Sequence, residues 1–255
     1  MISCPLCNRA VEHLHKRSHL VPEWMYTDCY NENHKVIEVS RSEERVTKKQ
    51  KGVYSSFICD SCEKDTQKYD HYASLILTNR SSGSDEFKSI ERTYPKKNNV
   101  DDNFEFCLWE NIDFKKFQNF IFSVILRTHL AGRIKGSIQL NQEHLNRILS
   151  IYRDNTIIDD SSYPILLMEY HKNDKMRDHV ILPFVKKLKG HHIVEFTGGG
   201  YAFNVYISSH SKPQHIKTFR LKKEGSLLVL NIFFQQTALG KKSIEVISTL
   251  EKSKG

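Results

Sequence analysis

Apolar residues follow two different periods along this chain. Between Lys64 and Leu77, Tyr69, Tyr72, Ala73 and Ile76 share one helical face. Phe114, Phe117, Ile121, Val124 and Ile125 repeat at the same spacing behind Asp113, a candidate N-cap. Leu145, Ile148, Leu149 and Tyr152 do so in a segment starting near Asn141. These stripes predict three helices with core-facing sides. From Tyr163 onward the pattern predicts strands at 165–168, 180–184, 192–196, 201–207 and 227–234. Gly198-Gly199-Gly200 marks a tight turn, and alternation in Tyr201–Tyr206 predicts a half-buried antiparallel strand. Lys35–Val39 reads as one more strand, and the charged run Arg41–Lys51 as an exposed loop or short helix.

The fold class is therefore α+β. Residues 78–103 are rich in Ser, Asn, Asp and Lys, which places a linker or boundary at 81–110. An N-terminal module spans 1–80, and a helical segment leading into an antiparallel β-rich domain spans 111–255.

With 39% hydrophobic and 27% charged residues, the 255-residue chain has the makings of a globular core. No run approaches the roughly 18 apolar residues of a membrane span. Met1-Ile2-Ser3-Cys4 lacks the basic start and apolar stretch of a secretory signal. The expectation is a cytoplasmic protein with no membrane partner.

Net charge is +8, and the excess is concentrated. Between Lys186 and Lys223 eight basic residues face a single acid, Glu195. Lys186, Lys187, Lys189, Lys217 and Arg220 are candidate contacts for a nucleic acid, DNA first, with a merely solubilising face as the competing reading.

Four of the six cysteines form two identical spacings, Cys4-Pro-Leu-Cys7 and Cys59-Asp-Ser-Cys62. Two intervening residues let both sulfurs of a pair point to one side of a knuckle, and two knuckles complete a tetrahedral thiolate site for structural Zn²⁺. A disulfide or redox pair is the competing reading, but a redox pair needs only one such spacing. Cys29 and Cys107 have no partner at ligand spacing and read as packed or free thiols.

Ser18-His19-Leu20-Val21-Pro22 lies between the knuckles. Here residues 1–80 resemble the HNH (His-Me finger) endonucleases, which are often built on a zinc-bound treble clef. Cys4, Cys7, His19, Leu20, Val21, Pro22, Cys59 and Cys62 agree with that pattern in kind and order. More narrowly the segment is similar to bacterial proteins associated with phage, or antiviral, defence. The resemblance implies a ββα-metal module in which His19 is the general base of phosphodiester hydrolysis. It implies Mg²⁺ or Mn²⁺ as catalytic cation, with Glu63, a hard oxygen ligand, among its holders. Lys16 and Arg17 flank His19 and are further candidates for nucleic-acid contact. The chain departs from the family at Ser18, where an Asp is usual, and at Glu63, where a His or Asn is usual. The usual Asn before the second knuckle is replaced by Tyr54-Ser55-Ser56. The alternative function is therefore a non-catalytic zinc protein that binds nucleic acid or serves as the subunit of a larger assembly.

His13 and His15 alternate along one predicted strand and read as exposed hairpin histidines, Trp24 as a packing anchor, and Arg127 and His129 as helix-end charges.

Overall fold

The computed structural model describes residues 1–40, 45–49, 52–78, 90–94, 105–132 and 138–233. The first knuckle is the turn of a hairpin between β1 (Ile2–Ser3) and β2 (Ala10–Val11). β3 (Ser18–His19) pairs antiparallel with β6 (Tyr54–Ser55), and the long segment between them holds a 3-10 turn (Glu23–Cys29) and a hairpin. That hairpin is β4 (Val36–Ser40) with β5 (Arg45–Lys49). A strand thus occupies part of the charged run expected as a loop or helix. The β-branched pair Val46-Thr47 suits an extended backbone.

α1 (Asp60–Leu77) begins at the second knuckle, with Cys59 as its N-cap. Tyr72, Ala73 and Ile76 are buried on the expected face. α2 (Phe114–Leu130) is capped by Asp113, whose carboxylate accepts from the Lys116 amide, and α3 (Gln142–Arg153) by Asn141, which accepts from the His144 amide. Both helices start where side-chain caps can satisfy free amides.

One seven-stranded sheet dominates the rest. Its strands are β7 (Glu91–Thr93), β8 (Glu105–Glu110), β9 (Ile165–Tyr170), β10 (Ile181–Leu188), β11 (His191–Gly198), β12 (Tyr201–Tyr206) and β13 (Leu227–Ile232). The spatial order is β10-β11-β12-β9-β13-β8-β7. All neighbours are antiparallel except β13 and β9, which run parallel. β7 and β8 fall inside the segment expected as a linker, because Phe106, Cys107, Leu108 and Trp109 supply a short strand there. β12 is buried on both faces rather than half-buried, since it is a central strand. Phe203 and Val205 point into the main core, while Tyr206 packs with Ile193 under Ile216 of α4 (Gln214–Phe219).

The core is continuous. A single cluster of buried apolar residues runs from Cys4 through the three long helices to Val229, with Phe120 of α2 set edge-on against Phe203 of β12. The glycine turn after β11 is part of this join. A methyl group on Gly198 would come within 2.8 Å of the Met25 side chain, and one on Gly199 within 2.6 Å of the Trp24 ring. Gly199 also has φ +59°, a conformation that favours glycine. Trp24 thus packs against the turn and, at a ring separation of 6.2 Å, against Phe120.

Candidate functional site

The two knuckles meet at the start of α1. The Sγ atoms of Cys4, Cys7, Cys59 and Cys62 all lie within 4.8 Å of one another. The separations Cys4–Cys62 and Cys7–Cys59 are both 3.8 Å. A disulfide requires about 2.05 Å, whereas four thiolates about 2.3 Å from one zinc ion stand about 3.8 Å apart along each edge of the tetrahedron. The donor set and its spacing are compatible with zinc.

Local structure builds this geometry. Asn8 adopts φ +60°, and its amide donates to the Cys4 carbonyl, closing the first knuckle. The Cys59 amide donates to the Cys4 sulfur at 3.4 Å. Burial pushes the Cys4 and Cys62 thiols up. Burial raises Cys7 as well, but the Arg9 guanidinium, 3.4 Å from its sulfur, the Arg9 amide and the Cys62 and Cys4 thiols together outweigh this and draw it down to about 6. Arg9 also donates to Ser61 at 2.9 Å, so one cation spans both knuckles. From the far side Arg153, the last residue of α3, donates to the Leu6 carbonyl, to the Pro5 carbonyl at 2.9 Å and to the Asn8 side chain at 3.2 Å.

His13 and His15 converge on Asp60 between the second pair of cysteines. His15 Nδ1 lies 2.6 Å and His13 Nε2 3.4 Å from the carboxylate oxygens, which hold that carboxyl low. Cys107 is buried in the sheet and Cys29 is partly buried; neither forms a disulfide.

A second polar cluster forms where β3, β6 and α1 come together. Ser18 and His19 stand opposite Ser55 and Tyr54, with the His19 and Tyr54 rings edge to face at 5.9 Å. Glu63, Thr66 and Asp70 follow helical spacing along α1, and Glu63 and Thr66 are buried. The structure brings His19 and Glu63 into one electrostatic neighbourhood together with Glu23, Asp70 and Arg127. Burial lowers the His19 pKa. Glu23, Glu63 and Asp70 pull it back up, and Arg127 pushes it further down. Nε2 of His19 lies 2.8 Å from the Glu23 carboxylate but out of line for a hydrogen bond. The Ser18 Oγ, the His19 Nε2 and one Glu63 oxygen are all buried without a hydrogen-bond partner. A group left in that state costs about 1–3 kcal/mol, so each of these atoms is suited to a polar or charged partner. Apart from the four cysteines, no three His, Cys, Asp or Glu side chains converge as a metal-ligand set among the described residues.

Asp70 escaped sequence reasoning. Arg127 stands in the last turn of α2 as expected, but its side chain is 1% exposed and makes two parallel hydrogen bonds of 2.8 Å to Asp70. The pairing joins α1 to α2 across 57 positions, and no local pattern announces such a contact. Glu23, four residues after His19, was open to discovery by spacing alone.

The basic candidates separate. Lys16 and Arg17 are exposed beside β3, with Arg17 5.6 Å from the centre of the Tyr54 ring. Lys186 is tied to buried Glu195, and Arg220 to Asp160 at 2.6 Å, so both charges are already engaged. Lys187, Lys189 and Lys217 remain exposed. Lys187 stands opposite His192, out of phase with Ile193, which packs under α4 where Lys217 sits. The five therefore do not form one surface.

No helix is long and apolar enough to cross a membrane among the described residues. Comparison with family models, with curated proteins and with solved structures found no match to this chain.

Proposed function

We propose that the protein is an HNH-type endonuclease, a metal-dependent phosphodiester hydrolase acting on DNA, with structural zinc in its four-cysteine centre. One observation carries the reading: His19 and Glu63 lie in one electrostatic neighbourhood, and each has a buried polar atom without a hydrogen-bond partner. The order of knuckle, β3–β6 hairpin and α1 opening on the second knuckle is the order that a treble clef requires.

His19 takes the proton from the attacking water. Burial favours its neutral form, the form able to accept that proton. The Glu23 carboxylate, 2.8 Å from Nε2, then stabilises the imidazolium. The free Glu63 oxygen is the hard donor that would help to hold Mg²⁺ or Mn²⁺. Such an ion, when bound, supplies charge stabilisation at the scissile phosphate and the leaving oxygen. Lys16 and Arg17 draw the substrate backbone toward β3.

The alternative, a non-catalytic zinc protein that binds nucleic acid or another protein, is favoured by Ser18 in place of a carboxylate and by the contact of His19 with Glu23. Cleavage of plasmid, linear and single-stranded DNA and of RNA, with Mg²⁺, Mn²⁺ or EDTA, separates the two. The nuclease reading expects metal-dependent cutting that is lost in His19→Ala and Glu63→Gln while zinc content and melting temperature are retained. Folded, zinc-loaded protein that cuts none of these substrates overturns it.

A further inference from the structure

Away from His19, at the N-terminal end of α3, basic side chains from four elements come together, with Glu143 as the acid that bears on His144. His144 and Arg147 come from α3, Lys187 and His192 from facing positions on β10 and β11, and His210 and Lys212 from the loop after β12. Arg147, Lys187, His192 and His210 are exposed, and His144 and Lys212 are half-buried. The largest charges acting on His144 are Glu143 on one side and Arg147, His192 and Lys212 on the other. His191, beneath them, lies 6.4 Å ring to ring from His210 and feels both His210 and Lys212. No carboxylate pairs with Arg147, Lys187 or Lys212 among the described residues.

The cluster is held in place rather than merely crowded. The Lys212 ammonium donates to the Ser208 carbonyl and, at 2.7 Å, to that of His210, which fixes the loop. The Arg147 guanidinium sits 5.3 Å from the centre of the Tyr163 ring, and His144 Nδ1 lies 3.1 Å from the Tyr163 hydroxyl. Fixing like charges together costs energy in the free protein, and a polyanion removes that cost. The ring in the cluster points inward: Tyr163 is 3% exposed. Capture of unpaired bases uses exposed aromatic platforms, which this face lacks, whereas cations with solvent-facing heads suit a phosphate backbone.

We propose that this face, built from His144, Arg147, Lys187, His192, His210 and Lys212, binds the phosphate backbone of a nucleic-acid duplex. It is a separate surface from the His19 cluster and does not depend on that cluster being catalytic.

The test is fluorescence anisotropy of the full chain with a labelled DNA duplex of about 20 base pairs, two helical turns. No divalent cation is added, and salt runs from about 50 to about 200 mM. At the low-salt end, Arg147→Gln/Lys187→Gln/Lys212→Gln is expected to bind on the order of tenfold more weakly for each phosphate-binding cation removed. Its log–log salt slope should flatten by about 0.9 for each such cation. Lys172→Gln/Lys175→Gln/Lys223→Gln removes the same charge elsewhere and should bind like the wild type. Because Lys212 also anchors its loop, Arg147→Gln/Lys187→Gln is measured beside the triple variant, with a matching melting temperature as the folding control. Equal binding of RNA and DNA duplexes supports backbone recognition. Three results overturn the proposal: the control variant loses as much affinity, a single strand of equal length binds more tightly than the duplex, or phosphatidylserine vesicles capture the protein in preference to it. Because binding is read without cleavage, an inactive His19→Ala enzyme leaves the outcome unchanged.

Discussion

Replacing Asp70 by Ala tests whether the α1–α2 junction rests on a buried ion pair. Arg127 makes its two 2.8 Å hydrogen bonds to that one carboxylate and keeps only weaker 3.3 Å contacts to the Ser123 carbonyl and hydroxyl. With its side chain 1% exposed, water has little access to the orphaned guanidinium. Breaking a buried pair from one side costs about 3–5 kcal/mol, against about 1 kcal/mol or less for a surface pair. At about 2–4 °C per kcal/mol for a chain of this size, the melting temperature of the zinc-loaded protein should fall by about 6–20 °C. Urea midpoints should fall in parallel. The companion variant Asp70→Leu/Arg127→Met removes both charges and should recover most of the loss. A change below about 1 kcal/mol for Asp70→Ala would show that the pair is screened like a surface contact, and the argument would fail.

Two more outcomes follow from the same geometry. Stripping the metal should lower the melting temperature, since an ion held by four thiolates ties the two knuckles together and its binding free energy adds to folding; one zinc per chain by mass spectrometry is expected first, and a metal-free protein that melts at an unchanged temperature would contradict it. The Leu140 amide donates to His129 Nδ1 at 3.2 Å, and burial lowers the pKa of that imidazole. The unfolded chain therefore takes up the proton first, so this contribution is complete above about pH 6.5 and is lost as pH falls below it. Urea midpoints at about pH 7.5 and about pH 5.5 should draw closer in His129→Asn, which keeps an acceptor but no titrating ring, while His144 and His191 preserve part of the acid dependence.

Local signals were legible in the sequence and long-range ones were not. The cysteine spacings, the Asp113 and Asn141 caps and the apolar stripes of the three helices depend on neighbours within a few positions, and each lies where its spacing pointed. The strands after Tyr163 were found to within a few residues for the same reason. β7 was hidden because Glu91, Arg92 and Thr93 carry no apolar alternation; Arg92 becomes structural only by stacking 4.1 Å from the Trp109 ring centre. The expected boundary at 81–110 rested on composition, which cannot register that β8 pairs with β13 more than a hundred positions later. Ser18, His19 and Glu63 were identified by resemblance, but Asp70 and Arg127 enter their surroundings only through helix packing.

The strand order also governs how the molecule can assemble as it is made. β13 is the last of the seven strands to be synthesised, yet it lies between β9 and β8. Until it arrives, β9 through β12 form one ribbon and β7 with β8 another, each with an open edge of unsatisfied amides and carbonyls. Those edges are complementary to β13 and, equally, to the edges of other nascent chains. A ribosome stalled before Leu227 would therefore present two adhesive borders at once, and the yield of native protein should depend on how quickly the final strand emerges to close the seam.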